Sequence, residues 1–515
     1  MNSTTYVKWN GLCTSDVISE GKGNRQGGLA SAEEWKLYKN ELITQLESCA
    51  KESDFISGVP TSCVAVADDV APCATASHPR DAIHQMQLLL NIVEDQGTQL
   101  HMKFGAEKCK LLVSGRLNKI KAVKALLKDE PEILTFYGYP VKLVEDFYVH
   151  IGVPQAPHNQ SRVMVDYIIA RGQDMSYKLQ GSTKNSILGV SPLSNRKMFI
   201  SYHQPSFLYG TESMNLNQVD IERLEVKYRK TLKCMLSLPD CTVSAAVYLC
   251  IGVLPAEAQR DIEILGLLGH LAMCDQDAQN IRAIIEHTLT FYGVNFSGWS
   301  GLVRRTCLFY SLPDPLLYLE HLWRADRWRD HCKKVVRDYW GKKLISIVEE
   351  TPSLEYIDTN VASLSIPMRG WQLAGLSSAK VREATIVNWM LMGPYLTREM
   401  QFKMKKSDSP FCLGCGNRTI ENLTHFILHC QYYNQIREDY LPKLILLNNQ
   451  IGEIISSDYT MILSILDPLS SKLPEKFVQN WSSANKAYEL SRSYCSNMHE
   501  KREKLTKECE KLKTR

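Results

Sequence analysis

Between Phe411 and Cys430 the chain reads "FCLGCGNRTIENLTHFILHC". Cys412 and Cys415 form a Cys-x2-Cys knuckle, and Gly414 and Gly416 permit the tight turn that aims both sulfurs at one point. His425, His429 and Cys430 follow at a spacing suited to a short helix. Zinc takes four such soft or borderline ligands in a tetrahedron, and four donors that must meet at one ion leave the backbone little freedom. Two completions stay open on spacing alone. His429 lies one turn after His425 on the same helical face, whereas Cys430 must sit near the end of that helix. A closed site of this kind supplies folding energy and has no open position for chemistry. Lys403, Lys405, Lys406 and Arg418, with Phe411, Tyr432 and Tyr433 nearby, suit single-stranded nucleic acid, and they suit an ordinary surface nearly as well.

A second segment, Thr61 to Cys73, reads "TSCVAVADDVAPC". Its short β-branched runs predict a strand that turns tightly at Asp68 and Asp69 into a second strand. Carboxylates among apolar side chains are costly unless paired, hydrogen-bonded or bound to a metal. Two-metal phosphoryl transfer needs such groups, since paired divalent ions repel each other and require anionic ligands from more than one segment. Asp-Asp is also a common turn pair.

The rest of the 515-residue chain sets limits. At 44% hydrophobic and 23% charged it has the composition of an ordinary globular protein. Its N-terminus lacks the apolar core of a signal peptide, and apolar runs such as "IEILGLLGHLAM" fall short of the ~20 residues that span a bilayer. The expectation is an intracellular protein, nuclear or cytoplasmic, with no membrane partner. Its 16 cysteines then read as free thiols or metal ligands rather than a disulfide framework. A net charge of +4 does not announce a nucleic-acid partner, although eight Lys and Arg against four Glu gather from Ser491 to Arg515. Interleaved signs there describe a solvated helix face or a phosphate-binding tail.

Periodicity places the elements. Ser31 and Glu34 make a capping box ahead of a helix carrying Trp35, Tyr38, Leu42 and Leu46 on one face. Residues 78–96 predict another helix, with Ile83, Met86, Leu90 and Val93 inward. "QLHMKF", "KCKLLVSG" and "FYVHIGV" read as strands, so the first part is expected to be an α+β sheet domain with helices packed on it. After Pro154 the pattern turns helical, with stripes from Val165 to Leu179, Val219 to Leu236 and Ala256 to Ala272. Pro313, Pro315 and Pro352 interrupt the later part.

"GNRQGG" at residues 23–28, "VADD", "EKCKLLV" and "YVHIG", in this order and spacing, resemble the reverse transcriptase of non-LTR (LINE-type) retrotransposons. They look like that family's Gly-x-x-Gln-Gly segment, its aromatic-Ala-Asp-Asp signature with valine in first place, the following Lys-containing strand, and a degraded Tyr-Leu-Gly primer-gripping hairpin. "ARGQDMSYKL", "FLYGTES" and the stretch from Tyr228 to Pro255 resemble the region after the polymerase core. The Cys-x2-Cys with a later His-x4-Cys, preceded by Glu421, is similar to the knuckle that follows the polymerase in such elements, which selects Cys412, Cys415, His425 and Cys430 as zinc ligands.

The resemblance implies an α+β chain: a partial palm at 1–155, a helical thumb-like region at 156–260, a helical connector at 261–400, a zinc-knuckle module at 401–441 and a helical basic tail at 442–515. It implies RNA and DNA partners and RNA-directed DNA synthesis with two Mg²⁺. Asp68 would be a metal ligand with Asp69 its neighbour, Arg25, Gln26 and Gly27 would line the template and nucleotide site, and Lys108 would lie near the triphosphate. The family carries a further metal-binding aspartate on a strand before the Gly-x-x-Gln-Gly segment. Here Asp16 is the sole acidic candidate before Glu20, and "CTSDVIS" does not match the family's context. The expectation is a chain that starts inside the palm, inactive alone, or a non-catalytic nucleic-acid-binding relic with a structural zinc site.

Overall fold

The computed structural model describes residues 3–5, 8–9, 12–13, 18–20, 31–50, 55–56, 59–66, 69–102, 104–183, 190–273, 279–321, 323–372, 377–416, 419–451, 457–473 and 481–513. The described residues are mostly helical, and their strands pair only in twos. Two compact units divide the chain, 1–163 with 274–292, and 164–273 with 293–515.

In the first unit Cys63–Val66 and Asp69–Pro72 form an antiparallel hairpin whose last register pair is Val66 with Asp69. Asp69, expected in the turn, is therefore the first residue of the second strand. Helices Ser31–Ser48 and Pro79–Gln99 pack beside it, burying Leu42, Leu46, Leu89 and Val93 against Phe136. A second cluster joins Ile83, Leu111 and Leu134 to Val123 of helix Leu117–Asp129. The described residues of the segment expected as strand "QLHMKF" form no strand. The helix runs on to Gln99, and the chain reverses at His101, which has φ 53°. Gly97 fits this corner because a Cβ there would lie 2.8 Å from the Tyr137 hydroxyl. "KCKLLVSG" contributes only the pair Lys110–Leu111, parallel to Lys142–Leu143. "FYVHIGV" becomes a hairpin, Tyr148–His150 with Val153–Gln155, turning at Ile151 (φ 49°) and Gly152 (φ 74°). Two positive φ values in a two-residue turn match the right-handed twist of the strands.

The second unit is helical, and the three periodic stripes lie on helices Gln160–Thr183, Gln218–Met235 and Ala256–Ala272. The long helix Ala325–Glu349 crosses Ala256–Ala272 closely: Trp328 is buried and its indole N–H donates to Leu265 O at 2.8 Å. The C-terminal helix Trp481–Lys513 packs on Ser378–Leu391, Asn434–Ile451 and Asp458–Leu466. Its basic end is therefore only partly a solvated face, since Arg492 and Arg502 are buried. No helix among the described residues is long and apolar enough to cross a membrane.

Candidate metal centre

The knuckle begins as a narrow backbone ladder. Cys412 N–H donates to Thr419 O at 2.9 Å and Glu421 N–H to Pro410 O at 3.0 Å, with Phe411 and Ile420 bridged between them. Gly416 takes a left-handed φ of 61°, where a side chain would be strained. Gly414 is required for a different reason: a Cβ there would fall 2.8 Å from the Cβ of Tyr432, which lies over the turn.

On the other side Asn422 Oδ1 accepts the His425 N–H at 2.8 Å and starts a five-residue π-helix, His425–His429. Cys430 N–H closes it onto His425 O at 2.8 Å. This wide turn, a device common at functional sites, carries Cys430 round to the same side as His425.

Cys412, Cys415, His425 and Cys430 thus bring their ligand atoms within 4.8 Å of one another. The sulfurs of Cys412 and Cys430 are 3.5 Å apart, and Cys415 Sγ is 3.6 Å from His425 Nε2. Tetrahedral zinc bond lengths imply edges of about 3.8 Å between two sulfurs and about 3.6 Å between sulfur and nitrogen. A Cys3His set of this size could hold a zinc ion. Its electrostatics are suited to the task. The shared hydrogen bond pushes the Cys412 thiol up and pulls Cys430 down, and burial lowers the affinity of His425 for a proton. Thiolate and neutral imidazole are the forms that ligate.

His429 points elsewhere: it is exposed, with Nε2 2.6 Å from Asp458 Oδ2. The choice between His429 and Cys430 that spacing leaves open falls to Cys430.

Several supporting residues carry no signal in the local sequence. Arg437 donates to Cys430 O, and the Tyr494 hydroxyl to Ile427 O. Glu421 is buried and accepts the Arg398 N–H at 3.1 Å and Arg502 Nε at 2.8 Å. The guanidinium of Arg502 also lies over the rings of Tyr395 and Phe426, 5.5 and 5.8 Å from their centroids. Arg502 belongs to the basic run, yet nothing in that run marks it off from its neighbours.

In the first unit Asp69 and Lys108 line one cavity of about 1480 Å³, together with Trp35, Tyr148 and His150. Asp69 is exposed, and its Oδ2 is 4.0 Å from His150 Nδ1. Asp68, Arg25, Gln26 and Gly27 lie outside the described residues, as do Arg418 and the side chains of the Ser31 and Glu34 capping box. No family model matches the chain, and no curated protein matches its sequence.

Proposed function

We propose that the chain is part of a LINE-type reverse-transcriptase polyprotein and that it binds RNA or DNA through a fold organised by structural zinc. The observation that carries this reading is the convergence of Cys412, Cys415, His425 and Cys430 on one point. Three sulfurs and one imidazole fill a tetrahedron, so the ion contributes folding energy rather than catalysis. Lys403, Lys405 and Lys406 and the ring of Phe411, which precede the first ligand in the chain, are exposed, and cations with a stacking surface are the combination that a single strand uses. The order of the quoted segments supports the family assignment, and a hairpin of Cys63–Val66 with Asp69–Pro72 is compatible with it.

A second reading, the polymerase itself, draws on the cavity that Asp69 and Lys108 share. In it Asp68 holds Mg²⁺ with Asp69 beside it, Arg25, Gln26 and Gly27 approach template and nucleotide, and a carboxylate from another segment completes the metal pair. Titration of the full chain with a labelled single-stranded RNA tests the main reading. Binding should be sequence-tolerant and fall steeply between about 50 and 200 mM salt, whereas absence of binding at low salt contradicts it. Primer extension on an RNA template that is lost in Asp68→Ala would establish the second reading.

A further inference from the structure

Helix Ala325–Glu349 forms one wall of a groove of about 560 Å³, and the segment 362–365 forms the other. That second wall is fixed. Arg196 donates to Ile251 O, Gly252 O and Ser365 O at 2.8, 2.9 and 2.7 Å, and Met368 N–H donates to Cys250 O at 2.8 Å. Gly252, at φ 66°, lets the backbone of Ile366 come so near that a Cβ would lie 2.5 Å from its carbonyl carbon.

The helical wall is basic. Lys333, Lys334, Arg337 and Lys342 line the groove against two carboxylates, Asp330 and Asp338. Asp330 is 3.6 Å from Lys333. Among the described residues Lys334, Arg337 and Lys342 are exposed and make no ion pair, so three cations face one groove without a neutralising partner. Such a field attracts and concentrates anions. Gly341 lies between them, and a Cβ there would meet nothing within 4 Å. Packing does not require glycine at this mid-helix position, which is disfavoured by up to about 1 kcal/mol relative to alanine; its effect is to leave the groove floor open.

We propose that this groove binds phosphate groups, with Arg337 supplying a planar pair of donors, Lys334 and Lys342 compact charges, and the Ser363 and Ser365 hydroxyls further hydrogen bonds from the opposite wall. Arginine forks match phosphate geometry, and lysines bind it as point charges. The volume is that of a small-ligand site. The same chemistry is met by a free phosphorylated molecule or by the backbone of a nucleic-acid strand. The groove is independent of the metal centre.

The experiment uses the full chain with two probes, inorganic pyrophosphate by calorimetry and a labelled single-stranded RNA of about 12 nucleotides by anisotropy. Lys334→Glu/Arg337→Glu reverses the charge at exposed positions, and Gly341→Leu fills the floor without changing charge; a cooperative thermal transition at or above the wild-type midpoint shows that each variant is folded. Affinity for the probe that binds should fall about tenfold or more in both variants. Pyrophosphate binding identifies a small phosphorylated ligand. Binding of the strand alone identifies a backbone contact, and its log–log salt slope should then be shallower by about 1.4 in the double variant, roughly 0.7 for each lost contact. Wild-type protein that binds neither probe, or variants that bind as wild type does, overturns the proposal.

Discussion

Arg502 Nε lies 2.8 Å from Glu421 Oε1, a buried ion pair that joins the C-terminal helix to the metal-binding turn across 81 residues of chain. Glu421 is 2% exposed and Arg502 8%. Burial opposes the arginine's charge, and Tyr395 and Glu421 more than offset it, so its affinity for the proton is raised. Breaking a buried pair by removing one member costs about 3–5 kcal/mol, because the other charge is left uncompensated. Arg502→Met and Glu421→Gln should each lower the unfolding midpoint, and the double variant should lose less than the two together by about 1–3 kcal/mol. Additive losses in urea titrations would show that the two residues do not act as a pair.

The two histidines of the turn should separate cleanly. His425→Ala should release the metal, whereas His429→Ala, which removes only an exposed contact to Asp458, should retain it. A chromophoric zinc indicator reads this directly. Loss of metal in His429→Ala with retention in His425→Ala would reverse the ligand assignment.

Two mid-helix glycines should respond in opposite directions to alanine. At Gly269 a Cβ would lie 2.5 Å from Trp328 Cδ1, and Trp328 is held by its bond to Leu265. Gly269→Ala should therefore destabilise by about 1–3 kcal/mol despite the gain in helix propensity. Gly341→Ala, facing open space, should stabilise by about 0.5–1 kcal/mol. Urea midpoints of the two variants check both signs.

Asp261 gives a pH dependence. Burial raises its pKa to about 7, opposed in part by the hydrogen bond from Tyr310 at 2.7 Å and by Arg260. In the unfolded chain the group titrates near ~3.9. Between about pH 4 and 7 the native state therefore holds a proton that the unfolded state has released, and this group's contribution to stability falls as pH rises through that window. Asp261→Asn should match wild type near pH 4 and exceed it at pH 8 by roughly 1–4 kcal/mol. Thermal unfolding of both proteins across that range tests the sign, and a variant less stable than wild type at pH 8 contradicts it.

The parts of the fold that the sequence discloses are those governed by local pattern. The pairing of Cys63–Val66 with Asp69–Pro72 is legible from β-branched Val64, Val66 and Val70, although Asp69 is a strand residue and not part of the turn, and helices Gln160–Thr183, Gln218–Met235 and Ala256–Ala272 are legible from their 3.6-residue stripes. "QLHMKF" misleads because its alternation is produced by a helix end, a corner at His101 and Phe104 tucking into the core. The spacing of Cys412, Cys415 and His425 marks a metal centre, but the fourth ligand depends on a π-turn, and a one-residue change of helical phase is invisible to a 3.6-residue template. Gly414 looks like a turn residue and is one, yet what forbids a side chain there is Tyr432, a tertiary contact. The partnership of Glu421 with Arg502 has no local signature at all.

Metal analysis of the purified full chain tests the zinc centre most directly. Elemental analysis should find about one zinc per chain in the wild type and essentially none in Cys412→Ser or Cys430→Ser, with chelator lowering the thermal midpoint of the wild type but not of those variants. Wild-type protein free of zinc after expression in zinc-supplemented medium, or a zinc content unchanged by both substitutions, would contradict a Cys412, Cys415, His425 and Cys430 centre.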